Sequence, residues 1–381
     1  MLKAAVQSGA QSLLVKAGDV FRARVDGRLV RLSETPFTPE DTRRMAKRVL
    51  PADVDEDRLD ELHDLDFSWE LKDTARFRVN LLRQRGSIML VMRVLPWTIP
   101  NFEDLRLPPV LADLADLEHG LILVTGATGS GKSTTQAAMV DWINRNRQKH
   151  VITLEDPIEY RHENRTGSVT QREVGRDTDR FRTGLRMALR QDPDVILIGE
   201  MRDAETLETA LEAGETGQLV VSTYHAATAV GTLSRLLAML KGEEDPFVRK
   251  RVSEVLRAVV SQKLLPRRHE AGRVPVVEIL RMTGAVQEAI LRDEPREEIR
   301  RLMEVGGQYG MQTFDQHLKE LVQAESVDFD VARGAATSPS DFELEMQTLG
   351  GLGGDDAGAE APAEAAEDDD WFEPGGEGGF H

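Results

Sequence analysis

Residues 126–134 read GATGSGKST. Gly126, Gly131, Lys132 and Ser133 thereby satisfy the spacing G-x-x-x-x-G-K-[ST], whose chemistry is the cradling of phosphate. Glycine lets the backbone wrap tightly, so successive N–H groups, from Thr128, Gly129 and Ser130 through to Thr134, face negative charge at a helix start. Lys132 is expected to pair with the β- and γ-phosphates of a nucleotide, and the Ser133 hydroxyl to ligate Mg²⁺. The context such a loop requires is present, because the apolar run GLILVTG leads into it and a helical pattern leads out. That combination implies binding and hydrolysis of ATP. No N/T-K-x-D pattern for reading guanine accompanies it.

Two carboxylate sites follow, each at the C-terminal end of a predicted strand, where ligands of parallel sheets collect. Glu155, with Asp156 and Glu159 nearby, follows HVITL, and Glu200 follows DVILIG. One is expected to orient or deprotonate the attacking water and the other to hold Mg²⁺, directly or through water. His225, in STYHAATA just past LVVST, stands at a third strand end, where sensing the γ-phosphate and a structural role both fit. Arg76, Arg78 and Arg93 fall on predicted strands far upstream. Alone they read as solvated strand faces, although multidomain ATPases often complete a site with an arginine from elsewhere.

The elements that must position these residues fall into three regions. Residues 1–100 alternate like an α+β domain. SLLVKAGDVFRARVDGRLVRL reads as strands with a turn at Asp26–Gly27, and ARFRVNLLRQRGSIMLVMRVL as two strands joined through Arg85–Gly86–Ser87. Between them, Thr38 is an expected N-cap with Pro39 at the first helical position. A proline-studded linker is expected over 101–112. Residues 113–345 alternate apolar strands (GLILVTG, HVITL, DVILI, LVVST) with amphipathic helices, such as Phe181, Leu185, Ala188 and Leu189, or Leu233, Leu236, Leu237 and Leu240. Strands apolar throughout indicate a parallel sheet covered on both faces, hence an α/β fold. The last clear helix surrounds TFDQHLKELV. Residues 346–381, rich in Gly, Ala, Asp and Glu, are expected to be a disordered acidic tail, since they bury too little apolar surface to offset ordering entropy.

The net charge of the 381-residue chain is −18, and ten of its acidic side chains lie in 350–381, so the remainder carries −8. A polyanionic body with an acidic tail is a poor match for nucleic acid, and no such partner is expected. There are no cysteines, which excludes disulfides and cysteine-ligated zinc. No apolar run is long enough to span a bilayer, and Lys3, Gln7, Ser8, Gly9 and Gln11 interrupt the start where a leader would lie. Membrane contact is therefore expected to be peripheral.

GATGSGKSTT, ITLEDPIEY, QREVGRDT, ALRQDPDVILIGEMRDAET and AGETGQLVVSTYHAAT, in that order, together resemble the secretion ATPase superfamily. More narrowly, they resemble its type IV pilus retraction (twitching motility) ATPases, the PilT/PilU group. The resemblance covers residues 1 to about 345. It implies a RecA-like motor domain joined to a smaller PAS-like N-terminal domain, a homo-hexameric ring, and ATP held with Mg²⁺ between the two domains. It also implies a cytoplasmic location at the inner face of the inner membrane, reached through an inner-membrane pilus platform protein, and work beside a paralogous retraction ATPase.

Carried over by position, the resemblance makes Glu155 the general base and Glu200 the acid that holds Mg²⁺ with Ser133. It places His225 in a conserved histidine segment and sends Arg78 and Arg93 to the γ-phosphate. RQRGS, PPVL, NRNRQKH, TFDQHL and SPSDFEL are closer to the PilU-type paralogue. A stretch that reads near AIRNLIRE in PilT-type members is AVQEAILR here, and Tyr224, Ala226 and Ala227 surround His225. Those departures support an alternative, a weakly hydrolysing accessory ring subunit.

Overall fold

Alternating burial shapes the first of two sheets in the computed structural model, which describes residues 1–348 apart from 26, 52–53, 73, 96 and 241–244. Its strands are β1 (Ser12–Lys16), β2 (Arg22–Val25), β3 (Arg28–Arg31), β4 (Asp64–Leu71), β5 (Ala75–Gln84) and β6 (Ser87–Leu95). They lie in the order β3-β2-β1-β6-β5-β4, every neighbouring pair antiparallel. Along β5, Ala75, Phe77, Val79 and Leu81 are buried. They share a core with Leu90 and Met92 of β6 and Ala46 and Val49 of the helix Pro39–Val49. Because successive side chains point to opposite faces, Arg76, Arg78 and Arg93 project from the other side of the same strands.

The local signals explain the connections. Thr38 caps its helix in a capping box with Asp41: the Asp41 N–H donates to Thr38 Oγ1 at 3.1 Å and the Thr38 N–H to Asp41 Oδ2 at 3.0 Å. Arg85 and Gly86 turn β5 into β6 with φ of 48° and 74°. Asp26, expected in the β2–β3 turn, lies outside the described residues, while the pair it connects is in register from Val25 and Arg28.

The second sheet contains β7 (Gly120–Thr125), β8 (His150–Glu155), β9 (Ser168–Glu173), β10 (Val195–Ile198), β11 (Leu219–Tyr224), β12 (Leu256–Pro266) and β13 (Arg273–Arg281). Its order is β13-β12-β7-β11-β10-β8-β9. Leu121, Leu123, Ile196, Ile198 and Val220 face one helical layer, while Ile122, Val124, Val195, Leu197 and Val221 face the other. Both sets are buried, which is why these strands read as continuous apolar runs.

Four differences from the sequence reading stand out. The sheet is mixed, because β13 runs antiparallel to β12 at one edge. β9, SVTQRE, is a half-exposed edge strand with no apolar run to announce it. Within 101–112, Leu107, Val110 and Leu111 are buried in the core under the second sheet beside Ile122 and Val124, so the end of the expected linker is packed. Two helices, Phe329–Ala335 and Pro339–Thr348, follow the helix Phe314–Gln323, and Phe342 and Met346 bury against Phe314. The last of these helices therefore extends past the tail boundary expected at 346. The remainder of the tail lies outside the described residues. Among the described residues, no helix is long and apolar enough to cross a membrane.

Candidate active site

A cavity of about 640 Å³ opens at the C-terminal ends of β7, β8, β10 and β11 and is closed on one side by Arg78 and Arg93 of the N-terminal sheet. Its floor is the loop after β7. Gly126 has φ of 144°, and a Cβ there would lie 2.3 Å from the Gln262 carbonyl oxygen. Gly131 has φ of 90°, and its Cβ would lie 2.6 Å from Gln262 Nε2. Only glycine fits either position. Lys132 Nζ donates to the carbonyls of Gly126, at 3.0 Å, and Ala127, at 2.9 Å. Burial lowers its pKa, opposed by the charges of Glu200 and Glu159.

The helix Lys132–Asn146 begins at Gly131 without a side-chain cap. Its first-turn N–H groups and Lys132 thus form the donor set that a nucleotide's phosphates require. Thr128, Gly129, Gly131, Lys132, Ser133 and Thr134 line the cavity. Gly126 and Ser130 shape the loop from behind instead. The Ser130 hydroxyl is buried and has no partner among the described residues, and its carbonyl accepts from Gln262 Nε2 at 2.7 Å. Thr134 gives its hydroxyl to a contact of 2.9 Å with the Tyr160 hydroxyl, tying the helix to the segment after β8.

Glu155 ends β8, half-buried. Its Oε1 accepts from Thr153 Oγ1 at 2.6 Å and Gln171 Nε2 at 3.0 Å. Burial nevertheless dominates and pushes its carboxyl above the usual range, with the Glu159 charge adding to the effect. Glu200 follows β10 through Gly199, whose N–H donates to the Leu154 carbonyl at 2.8 Å. The Gly199 carbonyl in turn accepts from Thr223 Oγ1 at 2.6 Å. Glu200 Oε2 meets Arg202 at 2.8 Å and Oε1 meets His225 Nε2 at 3.0 Å. Burial raises the pKa of Glu200, but the Arg202 hydrogen bond and the charges of Arg202, His225 and Lys132 outweigh it, leaving the carboxyl below its ordinary value.

Arg78 and Arg93 are directly opposite one another in the β5–β6 pairing. The cavity therefore gathers Glu155, Glu200, His225, Arg78 and Arg93 in one place. Arg76 is not among them. It lines a separate cavity of about 410 Å³ between the two sheets, with Ser68 and Glu173.

The family profile described as Type II/IV secretion system protein matches residues 1–328. The chain belongs to that family. It is 39% identical to the type IV pilus retraction ATPase PilT of Pseudomonas aeruginosa over 342 residues, 90% of this chain and 98% of that protein. It is 38% identical to the type IV pilus ATPase PilU of the same organism, over 90% of each chain. A crystal structure of the pilus retraction motor PilT with bound ADP superposes with a TM-score of 0.83 at 40% identity, covering 90% of this chain and 98% of that one. The protein is thus a nucleotide-binding ATPase with the α/β fold of secretion ATPases.

Three residues at the site of this secretion ATPase carry no motif signal that singled them out. Arg202 holds Glu200 from two residues downstream. Arg273, at the start of β13, enters the cavity wall from the second sheet. Gln262 on β12 braces the phosphate loop from beneath, donating to the Ser130 carbonyl and accepting from Thr135 Oγ1 at 2.7 Å. A signal for Gln262 existed: Ser261 and Gln262 are uncharged polar residues that directly continue the buried apolar run Ala258–Val260.

Proposed function

We propose that this chain is the hexameric ATP-hydrolysing motor of type IV pilus retraction, the activity behind twitching motility. Hydrolysis drives pilus disassembly at the cytoplasmic face of the inner membrane. One observation carries the reading: a complete phosphate-loop site stands in a chain that resembles pilus retraction ATPases over 90% of its length. The proposed partners are five further copies of the chain and an inner-membrane platform protein, which supplies the membrane contact. A paralogous retraction ATPase completes the machinery.

In this mechanism Lys132 exchanges the carbonyls of Gly126 and Ala127 for the β- and γ-phosphates of ATP. Ser133 and Glu200 would hold Mg²⁺, which supplies charge neutralisation on the phosphate oxygens when bound. Glu155, made more basic by burial, takes the proton of the attacking water. His225 positions Glu200 through their hydrogen bond. Arg78 and Arg93, delivered by the other domain, stabilise charge developing on the transferred phosphoryl group.

ATP turnover by the purified protein and its Lys132→Ala variant, together with pilus retraction in a complemented deletion strain, tests the proposal. Turnover lost with Lys132 and retraction restored by the wild-type chain are expected. Turnover that survives Lys132→Ala would sink the mechanism. The departure AVQEAILR, which forms most of the helix Gly284–Leu291, favours a second reading as a weakly hydrolysing accessory subunit. Slow turnover alone, accelerated by mixing with a paralogue, would select it.

A further inference from the structure

Glu173 ends β9 directly opposite Glu155 in the β8–β9 pairing. The Val174 N–H, next in the chain, donates to the Glu155 carbonyl at 2.8 Å. The Glu173 side chain is buried, and its Oε2 accepts from two separate parts of the molecule. The Ile158 N–H, three residues beyond Glu155, donates at 3.1 Å. The Ser68 hydroxyl, on β4 of the N-terminal sheet, donates at 3.3 Å. One carboxylate oxygen therefore joins the loop after the candidate base to the other domain.

Arg76 faces the same interdomain cavity as Ser68 and Glu173. Its Nη1 is buried and has no hydrogen-bond partner among the described residues. Burial works against its charge, while Glu173, Glu70 and, more weakly, Glu155 support it. A buried guanidinium N–H without an acceptor, beside a carboxylate that already serves two donors, is a polar network only partly satisfied.

We propose that Ser68, Arg76 and Glu173 form an interdomain latch, with Glu173 as a positioning residue that sets the Glu155 loop according to the orientation of the N-terminal domain. The exchange of Ser68 for Arg76 on Glu173 converts domain rotation into placement of the base. This rests on the reading of the main cavity as the hydrolytic site.

The test uses the full-length protein. Glu173→Gln keeps an oxygen for Ile158 and Ser68 but removes the charge that Arg76 seeks, and Ser68→Ala removes only the cross-domain bond. Misplacing a catalytic group by about 1 Å costs up to about 100-fold in rate, so kcat for ATP should fall about 10- to 100-fold in Glu173→Gln with KM held within about twofold. The chain has no cysteine, so spin labels on cysteines placed at exposed Glu34 and Arg186 report the interdomain distance in samples diluted with unlabelled protein. Both variants should shift or broaden that distance distribution.

Unchanged kcat, or an unchanged distance distribution, in folded Glu173→Gln protein would overturn the latch. A loss of nucleotide affinity in step with kcat would also overturn it. A wild-type protein without turnover would sink the hydrolytic reading, while the distance measurement would still decide the latch.

Discussion

His225 Nε2 lies 3.0 Å from Glu200 Oε1, bridging the ends of two parallel strands, β11 and β10. Arg202 holds the other carboxylate oxygen at 2.8 Å. Burial works against the charge on Glu200, but these two partners and Lys132 keep the carboxyl below its usual range. An ionised, immobilised carboxylate suits a group that holds Mg²⁺ rather than one that accepts a proton. Glu200→Gln should therefore lower kcat by about 100-fold or more while nucleotide still binds the phosphate loop. His225→Ala should cost less, because Arg202 remains. Steady-state hydrolysis and titration with a fluorescent nucleotide check both outcomes.

Glu155 has the opposite electrostatics. Burial raises its pKa above 4.5 despite hydrogen bonds from Thr153 and Gln171. A carboxyl whose folded pKa is raised binds its proton more tightly in the native state. Its contribution to stability is fully present below the unfolded value of 4.5 and is lost as pH rises through the folded value. Glu155→Gln removes the ionisable group, and with it the penalty that burial places on its charged form. The variant should melt at a higher temperature than wild type at pH 7, and the difference should vanish near pH 4. If Glu155 is the base, kcat falls by about 10²- to 10⁴-fold in the same protein. Melting curves at the two pH values and one turnover assay decide the matter.

Arg78 and Arg93 face each other across β5 and β6 on the side away from the N-terminal core. Removing either guanidinium leaves Phe77, Val79 and Met92 packed as before. Arg78→Ala and Arg93→Ala should weaken hydrolysis, by up to about 10³-fold for the double variant, without shifting the melting temperature appreciably. Wild-type turnover in a folded, assembled double variant would refute the role proposed for them.

How much of this was legible depends on where each residue sits. β7, β8, β10 and β11 announce themselves because burial on both faces demands uninterrupted apolar runs, and Glu155, Glu200 and His225 are visible as the polar residues that end such runs or lie just beyond them. β9 lies at an edge and carries Gln171 and Glu173 with little apolar periodicity, so the partners of Glu155 were hidden with it. The motif brings Ser130 to nucleotide through its backbone N–H, and nothing in it foretells that the side chain is buried behind the loop. Arg273 was illegible for another reason. It reaches the site through the long β12–β13 pairing, and register across nine residue pairs cannot be read from either strand alone. Phe342 and Met346 stand at i and i+4, but exposed Leu344 between them blurs the helical period and the remaining residues are mostly polar, which concealed the final helix.

Gln262 supplies the last test. Its amide donates to the Ser130 carbonyl and accepts from the Thr135 hydroxyl, both at 2.7 Å, in a buried position. These two bonds fix the phosphate loop to β12, which pairs in parallel with β7. Leucine is close in volume but offers neither bond, so Gln262→Leu strands one acceptor and one donor. At about 1–3 kcal/mol for each buried group left unpaired, the loss for the two groups should be about 2–6 kcal/mol of stability. It should be accompanied by weaker nucleotide binding, because the loop loses its brace. Thr135→Val should destabilise the wild-type background by more than it does Gln262→Leu, since the second protein has already lost their shared bond. Denaturant unfolding of the four proteins measures that coupling. Strict additivity would show that the loop keeps its shape by other means.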